Sequence, residues 1–410
     1  MVPNHDHDSK SGSQLPLSGI TVIECASIVA APLAAQFLGD MGAEVIKIEP
    51  PAGDLTRAIG PRKSEGMGSF FLNNNRNKKS VVLDLKVKEG LEVLKRMVGQ
   101  SDVFLHSIRT SAADRLGLSY EDLRSINEAI VYCHVKGFSD KGSYAGKPAY
   151  DDIIQSLSGL AMLQEVVGGE PRYMPAIFAD KTAAIHAAYA IVLALFHRER
   201  TGEGQKVDVS MFETMVSFNM AEHLWGMTFE PPLGPMGYEP VSTAARRPFR
   251  TVDGYVSFLP YSDEQWRRFF ELINRLDIVE DPRFATFSGR QQNVKMVWSE
   301  IAHQLTLRTN AEWVQLLESE DIPFAVLNSL EDLLTDPHLV ETEFWQVAEH
   351  ETEGLLRFPG APFDMSRTPQ RLDLLPPGLG RHTQDVLQRF GYSEQEIAGL
   401  IEQGATTLTP

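Results

Sequence analysis

The chain has 410 residues, 43% of them hydrophobic and 23% charged, the balance of a globular protein with room for two or three domains of roughly 100–200 residues. A net charge of −17 disfavours nucleic acid and anionic membranes as partners, so a bound anion needs local basic groups. No run approaches the roughly 18 apolar residues of a membrane span, and residues 1–16 read as a polar, disordered leader without an export core, so a soluble cytoplasmic chain is expected.

In chain order, Ile20–Glu24 reads as a buried strand, Ala30–Met41 as a helix closed by Gly42, and Ala43–Ile48 as a second strand. Short connections make this a βαβ unit and hence a parallel sheet. The theme continues with a strand at Ser80–Leu85, a helix at Lys88–Val98, a strand at Val103–His106, a short helix at Asp122–Asn127 and a strand at Ile130–Val135. The fold class of this first third is doubly wound α/β. Helices are predicted over Asp151–Gln164 and Asp180–Arg198, then a turn at Gly202-Glu203-Gly204 into a strand at Gln205–Val209. From Pro231 to Pro248 the chain is rich in Pro and Gly and loses periodicity, which marks a boundary. Beyond it, a hairpin edge at Thr251–Phe258, helices at Asp263–Asn274 and Glu312–Ser319, and a strand at Phe324–Leu327 read as a smaller α+β domain. A second Pro-rich stretch, Phe358–Pro377, precedes two amphipathic segments, Thr383–Phe390 and Ser393–Gln403.

The local motifs of dinucleotide, phosphate-loop, zinc-protease and serine-hydrolase chemistry are absent. Cys25 and Cys133 lie far apart in apolar stretches, which suits a reducing compartment. His106, His134, His186 and His197 have no ligand spacing, so no metal is expected. Trp225 and Tyr238 could line an acyl pocket, with core packing the plainer role for each.

Three stretches carry a resemblance. Leu17–Glu24 (LSGITVIE), Ala31-Pro32 and Leu38–Pro50 (LGDMGAEVIKIEP) open it, followed by Gly53-Asp54, Arg57 and Asn75–Ser80 (NRNKKS). Ala179-Asp180 comes next, with Ala194-Leu195, Arg198, Thr201-Gly202, Gly204-Gln205 and Val207–Val209 downstream. Gly360, Pro362-Phe363 and Gly380–Thr383 (GRHT) complete the set. In this order and spacing the chain resembles the class III (CaiB/BaiF-type) CoA-transferases, whose relatives include formyl-CoA and carnitine CoA-transferases.

The resemblance implies that Asp180 is the nucleophile, forming a mixed anhydride and then an aspartyl-CoA thioester. Read alone, Asp180 is equally a helix N-cap, and a helix dipole favours its carboxylate form. Asp151, in Pro148-Ala149-Tyr150-Asp151, is an auxiliary carboxylate candidate, with Asp152 as the alternative helix cap. CoA contacts carried over from the family fall on Ile28, Val29 and Ala30, on Leu83 through Lys86, on Arg115 and on Tyr150. Ser107 and Ile108 stand where the family has an Asn-aromatic pair.

The resemblance further implies a Rossmann-like large domain built from both chain ends, 17–231 and 344–410, around a smaller domain at 240–330, in an interlocked homodimer. Coenzyme A is then a co-substrate carried as acyl-CoA, with no permanently bound cofactor, and small carboxylic acids are the other partners. The expected activity is CoA transfer between an acyl-CoA and a free acid. The alternatives are an α-methylacyl-CoA racemase of the same family and a non-catalytic CoA-binding protein. The racemase branch carries Gly-His-Asp where this chain has Ala149-Tyr150-Asp151, and a tyrosine of unperturbed pKa about 10 is a poor base at neutral pH.

Overall fold

The apolar runs between Thr21 and Lys136 become five strands, β1 (Thr21–Cys25), β2 (Glu44–Glu49), β3 (Lys78–Val82), β4 (Val103–His106) and β5 (Val131–Lys136), joined by β6 (Lys206–Ser210). The computed structural model describes residues 14–238, 241 and 246–408. All six strands are parallel, in the order β3-β2-β1-β4-β5-β6. Strand β1 is buried along its whole length, as a strand covered on both faces must be. The helices between and after these strands are α1 (Ala30–Asp40), α2 (Ser69–Asn74), α3 (Lys88–Val98), α4 (Thr110–Leu116), α5 (Tyr120–Ile126), α6 (Asp151–Leu157), α7 (Leu160–Gly168), α8 (Phe178–Thr201) and α9 (Met211–His223).

One face of the sheet is apolar. Ile23, Ile46, Val81 and Phe104 pack with Leu94 and Met97 of α3. Val386, Leu387, Phe390, Ile397 and Leu400 from the helices Thr383–Arg389 and Glu394–Glu402 complete that core. The same chain end covers the outer edge of β3. The Val82 N–H donates to Thr383 Oγ1, the Asp84 N–H to the Ala405 carbonyl, and Thr406 Oγ1 to the Val82 carbonyl.

Charge is also buried in the sheet. Lys47 and Lys78, both fully buried, each lie 2.8 Å from the Glu24 carboxylate, and Lys47 is 2.9 Å from Asp54. Glu24 and Lys47 are register partners across β1 and β2, so strand pairing itself brings them together. Arg57 grips Glu49 through Nε and Nη2, both at 2.7 Å, a bidentate pair.

The chain divides into two compact units, one of 1–161, 173–221 and 344–410, the other of 162–172 and 222–343. The second holds an antiparallel sheet of β7 (Phe249–Arg250), β8 (Tyr255–Phe258) and β9 (Phe324–Val326). Its core gathers Phe258, Trp266, Phe269, Phe270, Ile301 and Trp313. In the first unit β10 (Trp345–His350) and β11 (Gly354–Pro359) form a hairpin that periodicity did not predict.

Several expectations are corrected. Most of the expected leader lies outside the described residues, but Leu15 is buried, so ordered chain starts before residue 17. Gly42 does close α1, as the left-handed glycine (φ +97°) directly after the cap residue Met41, and a Cβ there would come within 2.5 Å of Leu15 Cβ. The helix predicted at 151–164 is two helices, because Gly159 takes φ +84° between α6 and α7. Helix α8 is long and apolar enough to cross a membrane, contrary to the composition reading; its small residues Ala179, Ala183, Ala184 and Ala187 are buried, and the helix packs on α1, β5 and β6. Trp225 is 48% exposed and Tyr238 only partly buried, their rings 5.1 Å apart, so neither is a core residue. Of the predicted boundary at 231–248, residues 239–240 and 242–245 lie outside the described residues.

Candidate active site

In a doubly wound sheet, ligands bind beyond the carboxyl ends of the strands, where the strand order reverses. Here that point lies between β1 and β4. The segments leaving both strands, with the one leaving β5, line a cleft of ≈ 210 Å³. Its wall includes Ile28, Val29, Ala30, Ser107, Tyr150 and Asp180, all singled out from the sequence. A second cleft of ≈ 460 Å³ meets it at Ser27 and Ser107 and is lined by Leu83, Lys86 and Ile108. Arg115 sits on the exposed side of α4 and lines neither cleft.

The loop after β1 is strained. Ile28 has φ +74°, a left-handed conformation that is a true outlier for a β-branched residue and costs of order 1–3 kcal/mol. Its N–H points at Asp54 Oδ1 (3.4 Å), and Asp54 is fixed by Lys47 and by both the N–H and hydroxyl of Thr56. The buried charges of the sheet thus reach the cleft wall.

Asp180 is the third residue of α8, not its N-cap. The cap position is Ile177, which offers no side-chain acceptor. Asp151 supplies one from α6 instead: its Oδ1 accepts the Asp180 N–H at 3.0 Å, and its Oδ2 accepts from Gln155 Nε2 at 2.6 Å. Asp151 is the first residue of α6, capped by Tyr150, and the exposed Asp152 caps nothing. Both Asp151 oxygens therefore hold donors, and the side chain is buried beneath the cleft, outside its lining. Tyr150 stands at the rim, 63% exposed.

Among the described residues no hydrogen bond or ion pair engages the Asp180 carboxylate. Burial, and then the neighbouring Asp151 charge, push its pKa up to about 7. The first turn of α8 favours a carboxylate, but desolvation and the like charge outweigh it. A partnerless carboxyl in a cleft, tuned close to neutrality, has the character of a reacting group.

The sequence reading missed Arg109, Thr110, Lys136, Phe138 and Lys147 in the same cleft. The signal was available, because residues just past the ends of β4 and β5 flank the switch point. Arg109 is exposed and, among the described residues, has no ion-pair partner, whereas Lys136 is held by Asp140 (2.6 Å) and Asp208 (3.0 Å). Below them His106 and His134 stack at 4.2 Å; burial keeps both imidazoles neutral, that of His134 with a pKa of about 4.

A model of CoA-transferase family III matches residues 17–383. The chain belongs to CoA-transferase family III. The succinate–glutarate CoA-transferase of Agrobacterium fabrum is 33% identical to this family III enzyme over 91% of the chain and 95% of the relative. The (R)-2-hydroxy-4-methylpentanoate CoA-transferase of Clostridioides difficile is 30% identical over 93% and 97%. Among solved structures, a CaiB/BaiF family protein from Brucella suis superposes with a TM-score of 0.80, at 28% identity, over 92% of this chain and all of that one. This CoA-transferase thus shares the α/β fold of its family, with the six-stranded parallel sheet at its centre.

Proposed function

We propose that this enzyme moves coenzyme A from an acyl-CoA to a free carboxylic acid through covalent intermediates on Asp180. The observation that carries the reading is the Asp180 carboxylate itself, unpartnered, inside the cleft formed by the Ile28–Ala30 loop. Its oxygen attacks the thioester carbonyl and CoA thiolate leaves, giving a mixed anhydride. The thiolate then attacks the aspartyl carbonyl, releasing the donor acid and leaving an aspartyl-CoA thioester. The acceptor carboxylate attacks that thioester and expels the thiolate again. Finally the thiolate attacks the acceptor's acyl carbon, which yields the new acyl-CoA and restores the Asp180 carboxylate.

The second cleft, with Leu83 and Lys86, is the proposed seat of the nucleotide end of CoA, and Ser107 marks where the two clefts meet. Arg109 and Lys147 bring positive charge to the wall of the same cleft on a chain of net charge −17, which favours anionic acids. Small dicarboxylic acids are the proposed substrates, in keeping with the succinate and glutarate named for the Agrobacterium relative. The test is a panel assay with succinyl-, acetyl- and formyl-CoA as donors against mono- and dicarboxylic acids. Succinyl-CoA with glutarate is expected to turn over fastest; preference for an uncharged-tail monocarboxylate would refute the dicarboxylate assignment.

A homodimer with interlocked chains completes the reading. Helix α8 exposes Ile185, Tyr189, Val192, Leu193 and Phe196, each more than 40% exposed and spaced along one face. Such a stripe on the described chain calls for a partner surface. Sedimentation at low protein concentration should find no folded monomer, since separating interlocked chains requires unfolding. A reversible folded monomer would contradict the interlock.

A further inference from the structure

Gln155 is completely buried one turn after Asp151 on α6, and it lines neither cleft. Its amide is committed to the segment leading into α8. Oε1 accepts the Met174 N–H at 2.9 Å, while Nε2 donates to the Ala176 carbonyl at 3.2 Å and to Asp151 Oδ2 at 2.6 Å. Asp151 Oδ1 in turn accepts the Asp180 N–H. The site presents one N–H, one carbonyl and one carboxylate, so it needs an acceptor and two donors on a side chain of this length. An amide meets that demand; a glutamate supplies one donor at most, and a methionine offers only a weak sulfur acceptor.

We propose that Gln155 is a positioning residue for the transfer reaction, locking residues 174–176 and the Asp151 carboxylate in one arrangement so that Asp180 faces the cleft in its reactive orientation. This rests on the reading of Asp180 as the nucleophile. Because Gln155 touches no substrate, its contribution belongs to turnover and not to binding. Misplacing a reacting group by 1 Å costs on the order of 10²-fold in rate.

The experiment compares wild type, Gln155→Met and Gln155→Glu with succinyl-CoA as donor and glutarate as acceptor, and traps the covalent intermediate with hydroxylamine for mass spectrometry. Gln155→Met should lower kcat by about 10–100-fold while KM for succinyl-CoA stays within about threefold. Gln155→Glu keeps the length and the acceptor for Met174. Its carboxyl would face Asp151 at hydrogen-bond distance, so the two share one proton and that contact lasts until the proton is lost, while the Ala176 carbonyl lacks its donor at every pH. Its kcat should therefore lie nearer wild type at lower pH and fall away on the alkaline side, where wild type holds its plateau. Asp151 is the charged group that acts on Asp180, and it is the group whose partner this variant changes.

Should the methionine variant fail to fold, the pH profile of the glutamate variant decides. A methionine variant with kcat within about twofold of wild type, or a glutamate variant with the wild-type profile, would overturn the positioning role. A wild-type enzyme with no Asp180 adduct would overturn the nucleophile reading itself, and the positioning role with it.

Discussion

Asp180→Ala is expected to reduce CoA transfer by more than about 10⁴-fold, the scale lost when a covalent nucleophile is removed. The variant should retain its fold, because Asp180 caps no helix and its carboxylate holds no partner among the described residues. In the proposed reaction the first half needs the ionised Asp180 carboxylate. Its rate should climb with pH through about 7 and level off above. Stability carries the opposite sign. A carboxyl whose folded pKa is raised keeps its proton longer in the native state than in the unfolded chain, whose carboxyls titrate near 3.9. Native stability therefore falls as pH rises between about 4 and 7, and Asp180→Asn should melt above wild type at pH 8 but not at pH 4. Stopped-flow release of CoA and thermal melts at the two pH values check both halves. Near-normal turnover in the alanine variant would remove Asp180 from the chemistry.

Glu24→Leu is expected to destabilise the sheet unit by about 3–5 kcal/mol, the range for breaking a buried ion pair on one side. Glu24 is the shared carboxylate of Lys47 and Lys78, all three fully buried. Burial works against the Lys47 charge, yet Glu24, Asp54 and Glu49 outweigh it and raise its pKa. For Lys78 burial prevails and the pKa falls to about 8, so Lys78 is the partner that gives up its charge when Glu24 goes. Combining Glu24→Leu with Lys78→Met should recover part of the loss, because it removes a buried amine left without its carboxylate partner. Urea unfolding followed by circular dichroism measures the set; equal stability of wild type and the single variant would show that the network contributes nothing.

The parallel sheet was legible because strands buried on both faces read as short apolar runs separated by helical periods, and Lys88–Val98 and Val103–His106 match residue for residue. Where local pattern competed with local conformation, the reading failed. Apolar spacing runs on through Gly159, and only its left-handed backbone ends α6. Helix α9 was not predicted: its buried positions recur every fourth residue, but two of them, Asn219 and His223, are polar while Phe218 is exposed, so the sequence shows no apolar face. The site was half legible. Asp180 stood out through the family resemblance, not through any local feature, while Gln155 and Arg109 are ordinary residues whose surroundings exist only once α6, α8 and the end of β4 are folded. Buried lysines were likewise unreadable, since the alternation that places Lys47 in a strand says nothing of the carboxylate across the register.

The way the last residues cover β3 has a consequence during synthesis. Thr406 closes on Val82 across 324 residues of chain. At about 5–20 residues per second a ribosome takes tens of seconds to make that stretch. Through that interval the backbone of β3 has one finished side, against β2, and one bare side that can pair with any extended segment nearby. The nascent unit cannot mature in order of emergence, and the closing contacts are among the most non-local in the molecule, which slows folding. The interval before these residues are made is thus one in which this unit is exposed to mispairing.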